Sequence, residues 1–574
     1  MRIILLIILS LLGLECWIFY QYLITNYYIF INSILLQYKS SFFIEKFPLL
    51  FTVEKFNNLK IIFPGVITLT FILFGLVYNY QKRIKTKIKC YLTYLISSLK
   101  NSITTLNHLS KTEKIVAILV FTVILLHKII LINRYPFSGD EAFSYFTFVE
   151  NGIFITTTFY PEPNNHILYN LICIFFNQLL NNPMYVMRVP NLILYILLIY
   201  ITFTYILKYF NFTTAIIFAS IIGFSYSTSI YVVHGRGYEL CSMLAVLSFI
   251  FTVKYNEYKS KNSLVNIIIF NCLGIFTIPI FIYITLGTTA YLTFYAITKK
   301  DKSLLINSLK IVGFTIIGAT ILYLPTILVS GFDSIINNPY LKSHSDLSYY
   351  YKHIVPVASN EAIDFIIGTY SKGYIIISVF LLVFIFFYKK VKSQIFQQFV
   401  LLFLFIIGCT FLTMISKNVF GEPRVFTMIA YLFYFIMSIF IGHFINQINY
   451  KNLKNIALTF IFLLSLSLTF TFDKKMDTFY GKDYLNTYKS LKKDISFLTQ
   501  NKNSISIYTD EKAFYLYLQL HNKLNYKKVS IFNKNNKLQN NNYDYIVTNF
   551  DSIQLNSYHK VKSFSNKIIL KKIQ

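Results

Sequence analysis

The segment SGDEAFSYF (138–146) sets two adjacent carboxylates, Asp140 and Glu141, after Pro136 and Gly139 and before a run of aromatics. One such carboxylate can take a proton from an attacking group while its neighbour supports it. The plain alternative is a solvated loop pair. The surrounding residues indicate an ordered turn at membrane level, where an unpaired carboxylate is costly and so marks a functional candidate. In YPEPNNHILY (160–169), Pro161 and Pro163 stiffen the chain and Asn164 suits the start of a helix. Asn165 and His166 are substrate-binding candidates, and His166 could meet phosphate or metal; a capped interfacial helix is the other reading. HGRGYEL (234–240) gathers His234, Arg236, Tyr238 and Glu239. Arg236 and Glu239 could equally be an i,i+3 pair on a helix end. GEPRVF (421–426) adds Glu422 and Arg424, which could also be a snorkelling ion pair.

Arginine is scarce. Arg2, Arg83, Arg134, Arg188, Arg236 and Arg424 are the only ones among 53 Lys and Arg. Lys, Asn, Ile, Phe and Tyr are over-used, as in an AT-rich genome. In such a chain, arginine is retained where its planar, always-charged fork is needed.

The elements that must hold these residues are transmembrane helices. The chain has 574 residues, 55% of them hydrophobic and 13% charged, with a mean hydropathy of +0.54. Soluble domains carry about 25% charged residues. Apolar runs long enough to cross a hydrocarbon core of about 30 Å recur along the chain. Spans are expected near 3–24, 61–80, 115–133, 189–207, 213–231, 238–253, 264–278, 280–298, 304–324, 373–388, 396–415, 425–445 and 455–472, about thirteen in all. The segment 164–182 is expected to lie along the interface. The basic stretches 81–89, 254–261, 299–302, 389–392 and 451–454 then all fall inside, as the positive-inside rule requires. That rule and a basic tail account for the net charge of +29, so no nucleic-acid partner is implied. Six cysteines show no disulfide or zinc spacing.

In this topology Arg134, Arg188, Arg236 and Arg424 reach the outer boundary beside Asp140, Glu141, Glu239 and Glu422. Arginine forks suit phosphate oxygens, so a lipid-anchored phosphate fits there. The loop 325–372, with Tyr349, Tyr350 and Tyr351, is placed to close as a lid. The tail 473–574 reads as a small extracytoplasmic α/β domain. Helices are expected over 483–498 and 511–523, strands over 504–508, 528–532 and 543–547, and a loop over 533–542.

At these residues the chain resembles the GT-C superfamily of membrane glycosyltransferases, in the branch of protein O-mannosyltransferases and lipid A aminoarabinose transferases. The resemblance covers roughly 115–445. It rests on Asp140-Glu141, PEPNNHILY, MRVPNLILY (187–195), RGYEL (236–240) and Pro423-Arg424. It implies a polytopic all-α membrane fold, GT-C-like. It also implies a polyprenyl- or dolichyl-phosphate sugar donor and a lipid, glycan or protein acceptor. Asp140 takes the family's catalytic acidic position and Glu141 its partner. His166 stands where relatives place a phosphate-contacting lysine. Relatives vary in their use of a divalent metal ion, so such an ion is an open candidate cofactor here. Three regions are expected: 1–114, an extension with two spans and a basic cytoplasmic segment; 115–472, the catalytic membrane domain; and 473–574. The implied activity is sugar transfer with inversion on the outer face of a bacterial inner membrane. A transporter or flippase of lipid-linked sugars is the alternative.

Overall fold

The computed structural model describes residues 2–38, 40–337, 342–368, 372–391, 393–480 and 484–499. In the tail it describes 504–509, 515, 518–521, 523, 528–532, 543–548, 558–564 and 567–572. Helix α1 (Arg2–Ile24) packs along α4 (Val53–Asn79). Two short helices, α2 (Tyr27–Leu35) and α3 (Ser41–Leu50), join them. They form where the side chains of Asn26, Ser40 and Thr52 cap successive helix starts. The long helix α5 (Gln81–Asn107) follows, then α6 (Lys111–Arg134), which opens on a Ser110/Glu113 capping box.

Next come α7 (Gly139–Ser144), α8 (Gly152–Thr158), α9 (Ile167–Asn177), α10 (Pro183–Tyr209), α11 (Phe212–Phe224) and α12 (Tyr226–Val233). The bundle continues through α13 (Tyr238–Tyr258), α14 (Lys261–Thr277), α15 (Ile282–Thr298) and α16 (Lys302–Val329). After the short α17 (Asp333–Ile336), β1 (Lys342–Ser343) and α18 (Leu347–Tyr349) come α19 (Val355–Ile367), α20 (Gly373–Phe387) and α21 (Gln394–Ser416). Strand β2 (Val419–Phe420) pairs antiparallel with β1, and α22 (Thr427–Asn446) and α23 (Lys451–Ser467) complete the bundle.

Among the described residues, nine helices are long and apolar enough to cross a bilayer, and the pair α11–α12 makes a tenth. Three shorter apolar helices, Leu9–Ile24, Lys261–Thr277 and Gly373–Phe387, occupy the other expected span positions. The fourth, α9, has 11 residues, or about 16 Å, too short to cross. His166 before it and Arg188 after it lie at one end of the bundle, within reach of Arg236 and Glu141 respectively.

Residues 213–231 do not form one straight span. The chain bends by 56° at Ser225, between α11 and α12. The break releases carbonyls that must be paired in a dry interior. Lys128 Nζ donates to the Gly223 carbonyl at 2.7 Å and to Ser229 Oγ. Tyr195 and Thr228 hydroxyls both donate to the Ile222 carbonyl, at 3.0 and 2.7 Å.

Helix directions alternate from the Asp140 end. The stretches 81–89, 254–261, 299–302, 389–391 and 451–454 therefore all lie at the opposite end. Beyond α23, α24 (Phe472–Tyr480) returns to the Asp140 end, where Asp473 pairs with Arg134 and accepts from Tyr135. Helix α25 (Tyr484–Thr499) leads to a five-stranded sheet ordered β4-β3-β5-β7-β6. Its strands are β3 (Ser504–Thr509), β4 (Lys528–Phe532), β5 (Tyr545–Thr548), β6 (Tyr558–Phe564) and β7 (Lys567–Lys572). The first three are parallel, and β6–β7 is an antiparallel hairpin absent from the sequence reading. The expected loop 533–542 and most of the helix expected over 511–523 lie outside the described residues. All six cysteines are free thiols.

Candidate active site

Ser138 starts α7 with a capping box: its Oγ accepts from Glu141 N–H, and its own N–H donates to Glu141 Oε2 at 2.9 Å. The same carboxylate anchors two other segments. Arg188 of α10 donates from Nε to Oε1 at 2.9 Å and from Nη2 to Oε2 at 2.7 Å. The Gly235 N–H donates to Oε1 at 2.6 Å. Arg188 uses its other protons on the carbonyls of Ile132, Tyr135 and Pro136, at 2.7, 2.8 and 2.5 Å. Both side chains are 0% exposed. Burial alone would raise the Glu141 pKa. The Arg188 charge and hydrogen bonds, His234 and the Gly235 N–H outweigh it and hold the group below the usual carboxylate value.

Gly235 admits no side chain, because a Cβ there would lie 2.4 Å from the Met187 carbonyl oxygen. His234 is buried behind this pair, its Nδ1 3.9 Å from Glu141 Oε2. Burial pushes its pKa down to about 4, only partly offset by Glu141.

Asp140 faces the other way, its side chain 45% exposed. Arg424, at the start of the α22 segment, donates from Nη1 to Asp140 Oδ2 at 3.0 Å, and its Nε lies 2.7 Å from Glu422 Oε2. Arg236 Nη1 donates to the Asp140 carbonyl at 3.0 Å and to Ser144 Oγ at 3.1 Å, and stands 4.0 Å from Asp140 Oδ2. Its Nη2 donates to Asn164 Oδ1.

His166 Nδ1 accepts from the Gly237 N–H at 2.8 Å. That leaves the neutral ring's proton on Nε2. The 3.3 Å approach of Arg236 Nη2 to His166 Nε2 is then donor against donor, a packing contact rather than a bond. Burial first, and then the charges of Arg236 and Arg424, depress the His166 pKa well below its ordinary value. Tyr238 lies edge-on to His166 at 5.0 Å and against Tyr231 at 4.4 Å.

Asp140, His166, Arg236, Tyr238, Glu422 and Arg424 thus meet at one end of the bundle. Glu141, Arg188 and His234 form the buried frame behind them. Two candidates turn away. Asn165 is buried, donating to the Thr156 and Phe159 carbonyls at 2.8 and 3.1 Å and accepting from Asn170. Glu239 points into the bundle and accepts from the Tyr431 hydroxyl at 2.9 and 3.0 Å.

Asn164 does not cap α9, which begins at Ile167 after His166; it accepts from Arg236 instead. Ser144 and the buried Tyr160, whose hydroxyl has no partner among the described residues, were not singled out from sequence. Both lie within segments quoted above, but only folding brings Ser144 to Arg236. The expected lid is partly tied down. Tyr350 is buried and donates to the Val419 carbonyl at 3.0 Å, whereas Tyr349 and Tyr351 are exposed. Among the described residues, no three His, Cys, Asp or Glu side chains converge as a metal would need. Asp140 and Glu422 are each engaged by an arginine.

No family model matches the chain, and no curated protein matches it. Solved structures do. ArnT from Cupriavidus metallidurans, bound to undecaprenyl phosphate, superposes with a TM-score of 0.50 at 10% identity, covering 80% of this chain and 98% of that one. The apo form of the same protein gives the same values. The Archaeoglobus fulgidus oligosaccharyltransferase, in complex with zinc and sulfate, reaches 0.39 at 13% identity over 75% of this chain and 67% of that one, too loose to bear on the fold. The likeness to ArnT concerns the fold alone: the chain shares ArnT's architecture, in an integral, multi-pass membrane protein.

Proposed function

We propose that this GT-C-fold protein is a membrane glycosyltransferase that moves a sugar from a polyprenyl-phosphate donor to an acceptor hydroxyl on a lipid, glycan or protein. One observation carries the reading. A half-exposed carboxylate, Asp140, stands between two arginines, Arg236 and Arg424, at one end of the bundle. A lipid phosphate entering from the bilayer would meet the part-exposed Arg424 guanidinium, with that of Arg236, 4% exposed, behind it; such forks match phosphate oxygens. ArnT was crystallised with undecaprenyl phosphate, the class of carrier that leaves in the reaction proposed here.

In the proposed reaction Asp140 accepts the acceptor's hydroxyl proton as its oxygen attacks the sugar C1. The bond from C1 to the phosphate oxygen breaks, and polyprenyl phosphate departs with the electron pair. Arg236 and Arg424 stabilise the charge growing on that phosphate. Phosphate leaves without a general acid, so one carboxylate suffices, and a single displacement inverts C1. His166, neutral and accepting from the Gly237 N–H, fixes the backbone next to Arg236. We assign the Asp140 end to the outer face of a bacterial inner membrane because the basic stretches between the spans lie at the other end, while the basic tail is long enough to cross regardless of charge. The uncovered Tyr349 and Tyr351 leave a closing role for the loop 325–372.

The transporter reading has one observation in its favour, the helix broken at Ser225 beside a buried lysine. There the freed carbonyls are already taken by protein donors, so the break reads as a joint rather than an ion site. The test is release of free polyprenyl phosphate by purified protein given a panel of polyprenyl-phosphate sugars and membrane acceptors. Asp140→Asn is expected to lower release by about 10²–10⁴-fold. Unchanged release removes Asp140 as the base. Release from no donor favours the transporter, checked by lipid flipping in liposomes.

A further inference from the structure

Helix α5 belongs to neither the bundle core nor the candidate site. It has 27 residues, none of them buried, and is about 40 Å long. One arc carries Ile88, Leu92, Leu95, Leu99 and Ile103 at helical spacing, each between 36% and 58% exposed. The opposite arc and its borders carry Lys82, Arg83, Lys85, Lys87, Lys89 and Lys100, and no acidic residue lies between Glu54 and Glu113.

The neighbouring spans fix where this helix runs. The start of α4 is at the Asp140 end, where Lys55 Nζ donates to the Ser330 carbonyl at 2.9 Å and the Ser330 hydroxyl in turn donates to the Thr158 carbonyl. Asn79 is therefore at the far end. Helix α6 finishes at Arg134 beside the site, so Lys111 is also at the far end. Both ends of α5 thus lie at one membrane level. A straight helix of that length between them must run across the far face rather than through the bilayer. Its contacts agree. Tyr91 donates to Asn266 near the start of α14, and α5 packs on α10, whose last residue is at the far end.

We propose that α5 lies in the plane of the membrane surface on the side opposite Asp140. Its apolar arc enters the acyl region, and its lysines and arginine bind anionic phospholipid headgroups. An uncovered apolar arc flanked only by positive charge is what an anionic bilayer surface complements. Lys259, Lys299 and Lys300, at the same end, extend the charged surface.

The test uses full-length protein in nanodiscs of mixed phosphatidylcholine and phosphatidylglycerol. Cys16 and Cys90 are replaced by serine, and a spin label is placed singly at Leu92→Cys, Thr93→Cys, Ser97→Cys or Leu99→Cys. Oxygen is expected to reach the labels at 92 and 99, and a water-soluble relaxer those at 93 and 97. Equal water access at all four, or shielding of 92 and 99 from both reagents (a protein partner on the apolar arc), overturns the placement.

Native mass spectrometry of the bound lipid tests the headgroup part. Changing Lys82, Arg83, Lys85, Lys87 and Lys89 to Gln is expected to lower phosphatidylglycerol enrichment by at least about tenfold. Enrichment that persists overturns it. If the variant does not fold, enrichment on the wild type must fall with rising salt; salt-independent enrichment has the same consequence.

Discussion

Asp140 and Glu141 are adjacent in the chain and opposite in environment. Asp140 meets the outside and two arginines, while Glu141 is sealed against Arg188. Removing the Arg188 charge strands a buried carboxylate and three carbonyls. Arg188→Met is expected to cost about 3–5 kcal/mol, read by thermal unfolding in detergent. The double change with Glu141→Gln should recover part of that loss, and full additivity would contradict the pair. His234 gives a pH dependence. Its folded pKa, about 4, lies below the ordinary 6.5. Between those values the unfolded chain binds a proton that the native state refuses, so stability falls as pH drops from 6.5 to 4 and is flat above 6.5 on this account. The loss from this one group is about 3 kcal/mol by pH 4. His234→Asn is expected to flatten the melting-temperature profile across that window, and an unchanged profile would count against it.

At the scale of elements, the joint at Ser225 sets where the HGRG turn sits. Helix α12 begins at the bend and ends at Val233, directly before His234, so its direction decides whether Gly235 reaches Glu141 and Arg236 reaches Asp140. Lys128 is the clasp, since it bridges the last turn of α11 to Ser229 of α12. Lys128→Met leaves the Gly223 carbonyl without that donor in a dry interior. It is expected to cost about 1–3 kcal/mol and to lower donor turnover. A variant with wild-type melting temperature and turnover would show that the joint holds without the lysine.

At the scale of the whole molecule, the N-terminal extension is packed against the site's supports. Phe43, Phe47, Phe51 and Phe56 share one buried cluster with Phe143, Phe148 and Phe159 of the α7–α8 region. Phe43 and Phe159 meet edge to face at 5.0 Å. Phe143 follows Asp140 by three residues, so this cluster backs the turn that presents the carboxylate. Phe47→Ala is expected to cost about 3–5 kcal/mol and to reduce turnover, measured by unfolding and polyprenyl-phosphate release. The tail is tied to the same end: Lys523 contacts the Tyr145 hydroxyl and Glu150 at 2.5 and 2.6 Å, and Asp473 contacts Arg134 and Tyr135.

What the sequence alone determined is local in character. Runs of apolar residues specify spans because bilayer crossing depends on the segment itself, and the basic stretches specify which ends lie together. The interfacial character of 164–182 followed from the same rule, and the scarce arginines pointed to the end where the polar groups gather. The division of labour within the site was not legible. Glu141 depends on Arg188, 47 residues on, and Gly235, 94 residues on, while Asp140 depends on Arg424, 284 residues on. Burial and pairing are properties of the packed bundle, so only the tertiary structure could decide which carboxylate is frame and which is left part-exposed. The bend at Ser225 was hidden for the same reason: the lysine that satisfies the break comes from another helix.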